Sequence, residues 1–250
     1  MGKACLKKMM TMRNLFTLLI FSLPLLMIQS CTDCVKGTGN LKEETRTLKE
    51  FDEIEIECSA DVILKPIEGT DPLKAVISAQ ENLLPFIKTT VNGTKLTIDI
   101  EGCISTTEKM EVLVDSRNLK TLLNDGSGDV SVEGTLKAEV LTLKNDGSGD
   151  IELEADAKEF FIGNSGSGDL TVRGNAVECE IKNNGSGDID GFGLKCNEVI
   201  VSNSGSGDVE LYVRKKLKAR LNGSGNITYE GNPQSIDQKT NGSGEVMRRN

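Results

Sequence analysis

Five aspartates recur at one position of a repeated motif, and their type and spacing could serve metal chemistry. Each follows the tripeptide Gly-Ser-Gly, and they are Asp129, Asp150, Asp169, Asp188 and Asp208. Gly- and Asp-rich β-rolls bind Ca²⁺ through such stacked carboxylates, but with a much shorter repeat. An Asp in a turn commonly accepts backbone N–H groups of its own turn. The sequence therefore predicts turn capping, with a weak calcium ladder as the alternative.

Other catalytic and metal chemistries lack their residue types. The chain has no histidine, which removes Ser–His and Cys–His nucleophile pairs and the commonest zinc ligand. Its net charge of −9 disfavours binding to nucleic-acid phosphates. We therefore expect no cofactor and no nucleic-acid partner.

The cysteines are predicted to be structural. Cys179 lies in an apolar column of the repeat, and Cys196 aligns with alanines of three other repeats, so both are predicted to be buried core thiols. Cys58 and Cys103 could pair in an oxidising compartment. Cys34 has no role that the sequence assigns.

One dense basic run stands out on this acidic chain. It comprises Arg214, Lys215 and Lys216, with Lys218 and Arg220 close behind. Such a run is usually a solvated face. Contact with lipopolysaccharide phosphates or acidic glycans is the second interpretation.

The elements that position these residues are coils of a repeat. Gly-Ser-Gly begins at residues 126, 147, 166, 185, 205, 223 and 242, with steps of 21, 19, 19, 20, 18 and 19 residues. The residues on either side of each copy alternate between apolar and polar, as strands with one buried face do. Coils of this length bury their apolar side chains by stacking on one another. The sequence predicts an all-β fold, a parallel β-helix with about 19–21 residues per coil.

Asparagine and glycine have separate roles in this prediction. Five asparagines occupy one inward-facing position of successive coils and are expected to hydrogen-bond to one another along the axis: Asn124, Asn145, Asn164, Asn183 and Asn203. The glycines are expected to allow left-handed or close-packed corners.

Residues 50–120 are less regular. The segment Cys58–Leu64 overlays the Gly-Ser-Gly-Asp pattern and is interpreted as a degenerate early coil. Strand-like pieces follow, and Asn92-Gly93 predicts a hairpin turn. They indicate irregular coils or a β-rich N-terminal cap, and a cap would protect the open end of the solenoid.

The N-terminal segment has the features of an export signal. Four basic residues precede an apolar run over residues 15–27, which ends in Ile28-Gln29-Ser30-Cys31. We interpret residues 1–30 as a lipoprotein signal peptide rather than a buried core helix, with Cys31 as the lipid attachment site. Residues 31–49 are interpreted as a polar tether, residues 50–120 as the β-rich part and residues 121–250 as the repeat.

The N-terminal strand pattern, two shorter segments and the later coils together resemble the "putative auto-transporter adhesin, head GIN domain" family, and their combination with a lipoprotein leader is characteristic of it. The two segments are Glu81-Asn82-Leu83-Leu84 and the stretch from Asn92 to Ile98. The resemblance covers roughly residues 45–247. It implies an exported β-helical protein of Gram-negative bacteria, for which an adhesin role is proposed and no catalytic residues are known.

These observations together predict a cell-envelope lipoprotein without enzymatic activity. We expect an outer-membrane anchor, either surface-exposed or facing the periplasm, and adhesin-like binding of a glycan or surface protein. A carbohydrate-active β-helix lyase or hydrolase is the first alternative, although coils this short leave no long loops to wall a cleft. A purely structural envelope protein is the second. The sequence does not indicate an oligomeric state.

Overall fold

The computed structural model describes residues 34–249, which are built almost entirely of β-strands. The N-terminal part contains one 3-10 turn, Leu84–Phe86, and ten strands: β1 (Val35–Lys36), β2 (Leu41–Thr47), β3 (Glu53–Glu57), β4 (Asp61–Pro66), β5 (Lys74–Gln80), β6 (Ile87–Asn92), β7 (Lys95–Ile100), β8 (Ile104–Ser105), β9 (Glu111–Ser116) and β10 (Thr121–Asn124). The repetitive part contains eight: β11 (Val130–Asn145), β12 (Ile151–Asn164), β13 (Leu170–Asn183), β14 (Ile189–Asn203), β15 (Val209–Leu221), β16 (Ile227–Gly231), β17 (Ser235–Thr240) and β18 (Val246–Arg248).

The repeats form a parallel β-helix, as the sequence predicts. Each strand from β11 to β14 pairs in parallel with the next one along the chain, and β15 continues the pairing to β16 and β17. A coil has two faces. The first face is formed by residues that follow Gly-Ser-Gly, and the second face by residues that precede the next copy.

Equivalent side chains stack in columns, and the inward columns form one continuous core. On the first face Ile151, Leu170 and Ile189 lie on one another and are almost wholly buried. On the second face Leu143, Ile162 and Ile181 do the same. Burial of these apolar side chains is the main stabilising contribution.

Differences in coil length are accommodated away from Gly-Ser-Gly. The pairing shifts between Ser131 and Thr135, where β11 has extra residues relative to β12. Further shifts follow Thr171 in β13 and Gly191 in β14. Bulges of this kind take up extra residues without disturbing the rest of the ladder. The Gly-Ser-Gly corners therefore stay in strict register.

The early coil predicted at Cys58–Leu64 is confirmed. Val62 of β4 pairs with Val130 of β11, and β3 pairs in parallel with β10. The segment Cys58-Ser59-Ala60 thus occupies the corner position that Gly-Ser-Gly occupies later.

Both interpretations of residues 65–120 hold in part. Strands β7 and β9 form another coil on the outer side of β3 and β4. The hairpin predicted at Asn92-Gly93 joins β6 to β7, and Gly93 has a φ of 63°. Strands β5 and β6 run antiparallel to this outer coil and close the N-terminal end.

The tether interpretation is wrong for the described end of residues 31–49. Strand β2 pairs antiparallel with β5 along its whole length, from Leu41 opposite Gln80 to Thr47 opposite Lys74. Arg46 fixes it further by donating to the carbonyl oxygens of Ile87 and Leu84. Polar composition suggested a flexible segment, whereas these residues are an edge strand that needs few apolar side chains.

Candidate binding faces

The Gly-Ser-Gly turns stack directly on one another and form a corner that we call the serine corner. The Ser148 N–H donates to the Gly126 carbonyl oxygen at 3.0 Å, and the same bond recurs at each later turn. A Cβ built on Gly187 would lie 2.0 Å from the Gly168 carbonyl oxygen. None of these glycines has a left-handed φ. Close approach of successive coils, rather than backbone conformation, therefore requires glycine here.

A shallow, open groove runs along the serine corner. Its volume is about 820 Å³, and it is lined by the turns from Asp146 to Ser243, all of which are polar. The serine side chains are exposed along it. The groove presents a row of hydroxyl groups about 4.8 Å apart.

The aspartates next to this corner cap backbone groups, but of the following coil rather than of their own turn. Oδ1 of Asp150 accepts the Asp169 N–H at 2.8 Å, and Oδ1 of Asp169 accepts the Asp188 N–H at 2.8 Å. The ladder starts at Asp61, whose Oδ1 accepts the Asp129 N–H at 3.0 Å. Parallel stacking brings the N–H of the next coil within hydrogen-bonding distance of each carboxylate. Calcium binding by these carboxylates stays a prediction.

The inward asparagines support the same turns from inside. Asn183 Nδ2 donates to the carbonyl oxygens of Gly187 and, in the next coil, Gly207, while its Oδ1 accepts the Gly185 N–H. Only Asn124 and Asn145 form the side-chain to side-chain bond along the axis that the sequence predicts. In the later coils the side-chain amides donate to backbone carbonyl oxygens of the corner instead.

The disulfide predicted between Cys58 and Cys103 is wrong. Cys103 is bonded to Cys34, with 4.6 Å between their Cα atoms. Strand β1 pairs with β8 and thereby brings Cys34 opposite Cys103. Cys58 points into the core as a free thiol, and burial raises its pKa to about 11. The predicted lipid attachment site, Cys31, lies outside the described residues.

Cys179 and Cys196 are buried as predicted, but they form a disulfide instead of two thiols. Cys179 lies on the second face of one coil and Cys196 on the first-face strand of the next. Their columns meet inside the coil near the corner opposite Gly-Ser-Gly, and 6.3 Å separates their Cα atoms. A pattern of single columns does not reveal which columns meet across the core.

Three acids in the early coil lie together, which the sequence analysis missed. Carboxylate oxygens of Glu55, Glu57 and Asp125 lie within 4.8 Å of one another. Burial, followed by repulsion from Glu55, Asp99 and Asp125, raises the pKa of Glu57. The alternation of Glu53, Glu55 and Glu57 was the available signal, because it predicts that their side chains lie on the same outward side of β3.

The second face carries an apolar patch that the sequence analysis also missed. Phe161 and Ile200 point outward and are 36% and 50% exposed. Glu180 lies between them in the same column. A groove of about 230 Å³ runs over these residues and reaches Lys216 and Lys218. We call this surface the Phe161 face. Large apolar residues at outward positions of the repeat were the available signal.

Some residues of the basic run form ion pairs, and others line this face or are exposed to solvent. Arg220 binds Asp237 through two nitrogens, at 3.1 and 2.6 Å, and Lys216 lies 3.7 Å from Glu198. Lys218 lines the groove of the Phe161 face. Arg214 and Lys215 are exposed, as expected for a solvated face.

The described residues contain no helix with the length and apolar content needed to cross a membrane.

Among curated proteins, no relative matches the chain. Several solved structures share its fold, and three of them are described as adhesins. The first, a "putative adhesin" from Bacteroides fragilis, has a TM-score of 0.80 and 23% identity and covers 86% of this chain and 100% of its own. Two more "putative adhesin" structures cover 87% of this chain and 100% of their own: one from Parabacteroides distasonis, with a TM-score of 0.69 and 26% identity, and one from Parabacteroides merdae, with 0.67 and 25%.

A family model also matches residues 50–233, which is most of the chain. The description of this family as an adhesin indicates binding rather than catalysis, and a place at the cell surface or in the envelope. The solenoid, its stacked corners and this match agree with the resemblance found in the sequence. The chain belongs to the family described as "Putative auto-transporter adhesin, head GIN domain".

Proposed function

We propose that this protein is an envelope lipoprotein, acylated at Cys31, whose rigid β-helix binds a surface partner. The adhesin description of its family supports the binding role. One structural observation carries the proposal. The serine corner presents one exposed hydroxyl per coil along a groove, and the Phe161 face presents a second groove with exposed apolar side chains.

The ladder acids support binding over catalysis. Their Oδ1 atoms are occupied by backbone N–H groups of the next coil, which is a structural role. The carboxylates also follow the axis in one row instead of converging on a single point, as a general acid and base must.

Acyl labelling and surface proteolysis of intact cells test the proposal. Cys31→Ser should abolish incorporation of a labelled fatty acid, whereas the matched Cys34→Ser variant should keep it. Protease added to intact cells should degrade the wild-type protein. The proposal would be contradicted if the wild-type chain carried no acyl label. It would also be contradicted if the protease degraded the chain only after the outer membrane was opened.

A further inference from the structure

We propose that the Phe161 face binds an extended, neutral, β-linked polysaccharide that lies along the solenoid axis. This inference rests on the proposed binding function and names its ligand class and its site. The spacing of two apolar side chains, the charges beside them and the size of the face support this ligand class.

The apolar side chains are spaced to suit a chain of sugar rings. Phe161 and Ile200 occupy the same outward column two coils apart, which corresponds to about 10 Å. The disaccharide unit of an extended β-linked glycan has a similar length, and every second ring presents the same face. The apolar C–H face of a pyranose ring packs on an aromatic or aliphatic side chain. One ring can therefore lie on Phe161 and the next but one on Ile200.

A column of carboxylates runs beside these apolar groups. Glu159, Glu178 and Glu198 stack in register on consecutive coils, two residues along the strand from the apolar column. Their spacing of about 4.8 Å matches the advance per sugar residue, so each carboxylate can accept a hydroxyl hydrogen from one ring. In the part of the chain that the structure describes, Glu159 and Glu178 form no ion pair. Their oxygens are therefore free to accept hydrogen bonds from a ligand.

The charge of the face selects against acidic glycans. Glu180 is paired with Lys182 at 2.5 Å and Glu198 with Lys216 at 3.7 Å. The remaining acids of the groove, Glu159 and Glu178, outnumber its remaining cation, Lys218, so the face keeps a net negative charge. Uronic acid or sulfate groups placed on this column would be repelled. Sugar hydroxyl groups carry no charge and avoid this cost.

The size of the face favours a glycan over a protein. The groove covers two outward columns, about 7 Å apart, on four coils whose outermost strands lie about 14 Å apart. This footprint is far below the roughly 800 Å² that each partner buries in a stable protein interface. It suits a segment of about four sugar residues.

Affinity electrophoresis of residues 34–250 tests the inference, because this fragment contains every described strand and both disulfides. Soluble β-linked glucans and mannans are the probes, with an α-linked glucan and polygalacturonate for comparison. We expect at least one neutral β-linked polymer to retard the wild-type protein. Phe161→Ala and Ile200→Ala should each weaken that binding about tenfold, as loss of one ring contact predicts.

Matched variants away from the face complete the design. Phe192→Ala, on the first face, and Ile236→Ala, in the last coil, should bind as the wild type does. Circular dichroism and the thermal midpoint establish that all four variants are folded. Glu178→Gln, which keeps an acceptor oxygen, should admit polygalacturonate more readily.

Two outcomes would overturn the inference. One is wild-type protein that no neutral β-linked polymer retards. The other is retardation that Phe161→Ala and Ile200→Ala leave unchanged. Either result leaves acylation and surface display standing, because these are measured separately on intact cells.

Discussion

The repeats and the N-terminal cap solve the same problem, stacking one coil on another, in different ways. In the repeats, residues at equivalent positions meet at each level, and glycine lets the corners approach to backbone contact. In the cap, antiparallel strands and ion pairs such as Lys120 to Asp52 hold unlike segments together. The regular part therefore depends on a few repeated contacts, whereas the irregular part depends on many different ones.

Glycine substitution at a corner should give the largest effect. A Cβ at Gly187 would lie 2.0 Å from a carbonyl oxygen, whereas at Gly163 the nearest atom is 3.7 Å away. Gly187→Ala should lower the free energy of unfolding by about 3 kcal/mol, as overpacking does, and the melting temperature by roughly 6–12 °C. Gly163→Ala is the control and should change little. Equal melting temperatures for the two variants would refute the role assigned to the corners.

Loss of an inward asparagine should come next. Asn183→Ala removes three buried hydrogen bonds of the corner, to the Gly185 N–H and to two glycine carbonyl oxygens. Each of these backbone groups keeps one other partner, from Asn164 or Asn203, so the expected cost is the net value of the lost bonds, about 2 kcal/mol. Asn175→Ala removes an exposed bond to Asp156 and should cost little. Denaturant unfolding measures the stability of both variants. A larger loss of stability in Asn175→Ala than in Asn183→Ala would contradict the role assigned to the inward asparagines.

The stability that the aspartate ladder contributes should depend on its acceptor oxygen atoms and not on their charge. Asp169→Ala removes the acceptor of the Asp188 N–H and should cost about 1 kcal/mol. Asp169→Asn keeps an Oδ1, as Asn226 does for the Glu245 N–H, and should be close to neutral. Thermal unfolding with and without Ca²⁺ distinguishes capping from metal binding. A wild-type melting temperature that rises with Ca²⁺, and does so less in Asp169→Asn, would favour the calcium ladder.

The smallest effect should be the pH dependence that the acids of the early coil contribute. Burial raises the pKa of both Glu57 and Asp125, with repulsion between neighbouring acids adding to it. An acid whose folded pKa lies above its unfolded value binds its proton more tightly when folded, so stability rises as pH falls from neutral through that raised pKa. Glu57→Gln should reduce this rise, and Glu43→Gln, on β2, should not. Identical pH profiles of the melting temperature for Glu57→Gln and wild type would contradict the account.

The sequence was most informative where the chain repeats. Column alternation predicted the parallel coils, and Cys58–Leu64 was correctly recognised as an early coil because it has the same spacing. Pairing across the coil was not predictable, which is why Cys103 was given the wrong partner and the Cys179–Cys196 disulfide was missed. Strand β2 was missed for another reason, since an edge strand carries little apolar signal.

The candidate face was only partly readable from the sequence. Phe161 and Ile200 occupy outward positions that periodicity alone could have identified. Their neighbours in the adjacent column became clear only with the exact register between coils. Alternation predicts the side of the sheet, whereas register between strands predicts which side chains adjoin.

Spin-label distances along the serine corner test the stacking most directly. With one nitroxide at Ser127 and a second at Ser206, Ser224 or Ser243, pulsed electron resonance measures four, five and six coil steps. In-register stacking predicts distances that grow evenly by about 4.8 Å per step, from roughly 19 Å to 29 Å. A series that does not increase with each coil would contradict the β-helix and the faces built on it.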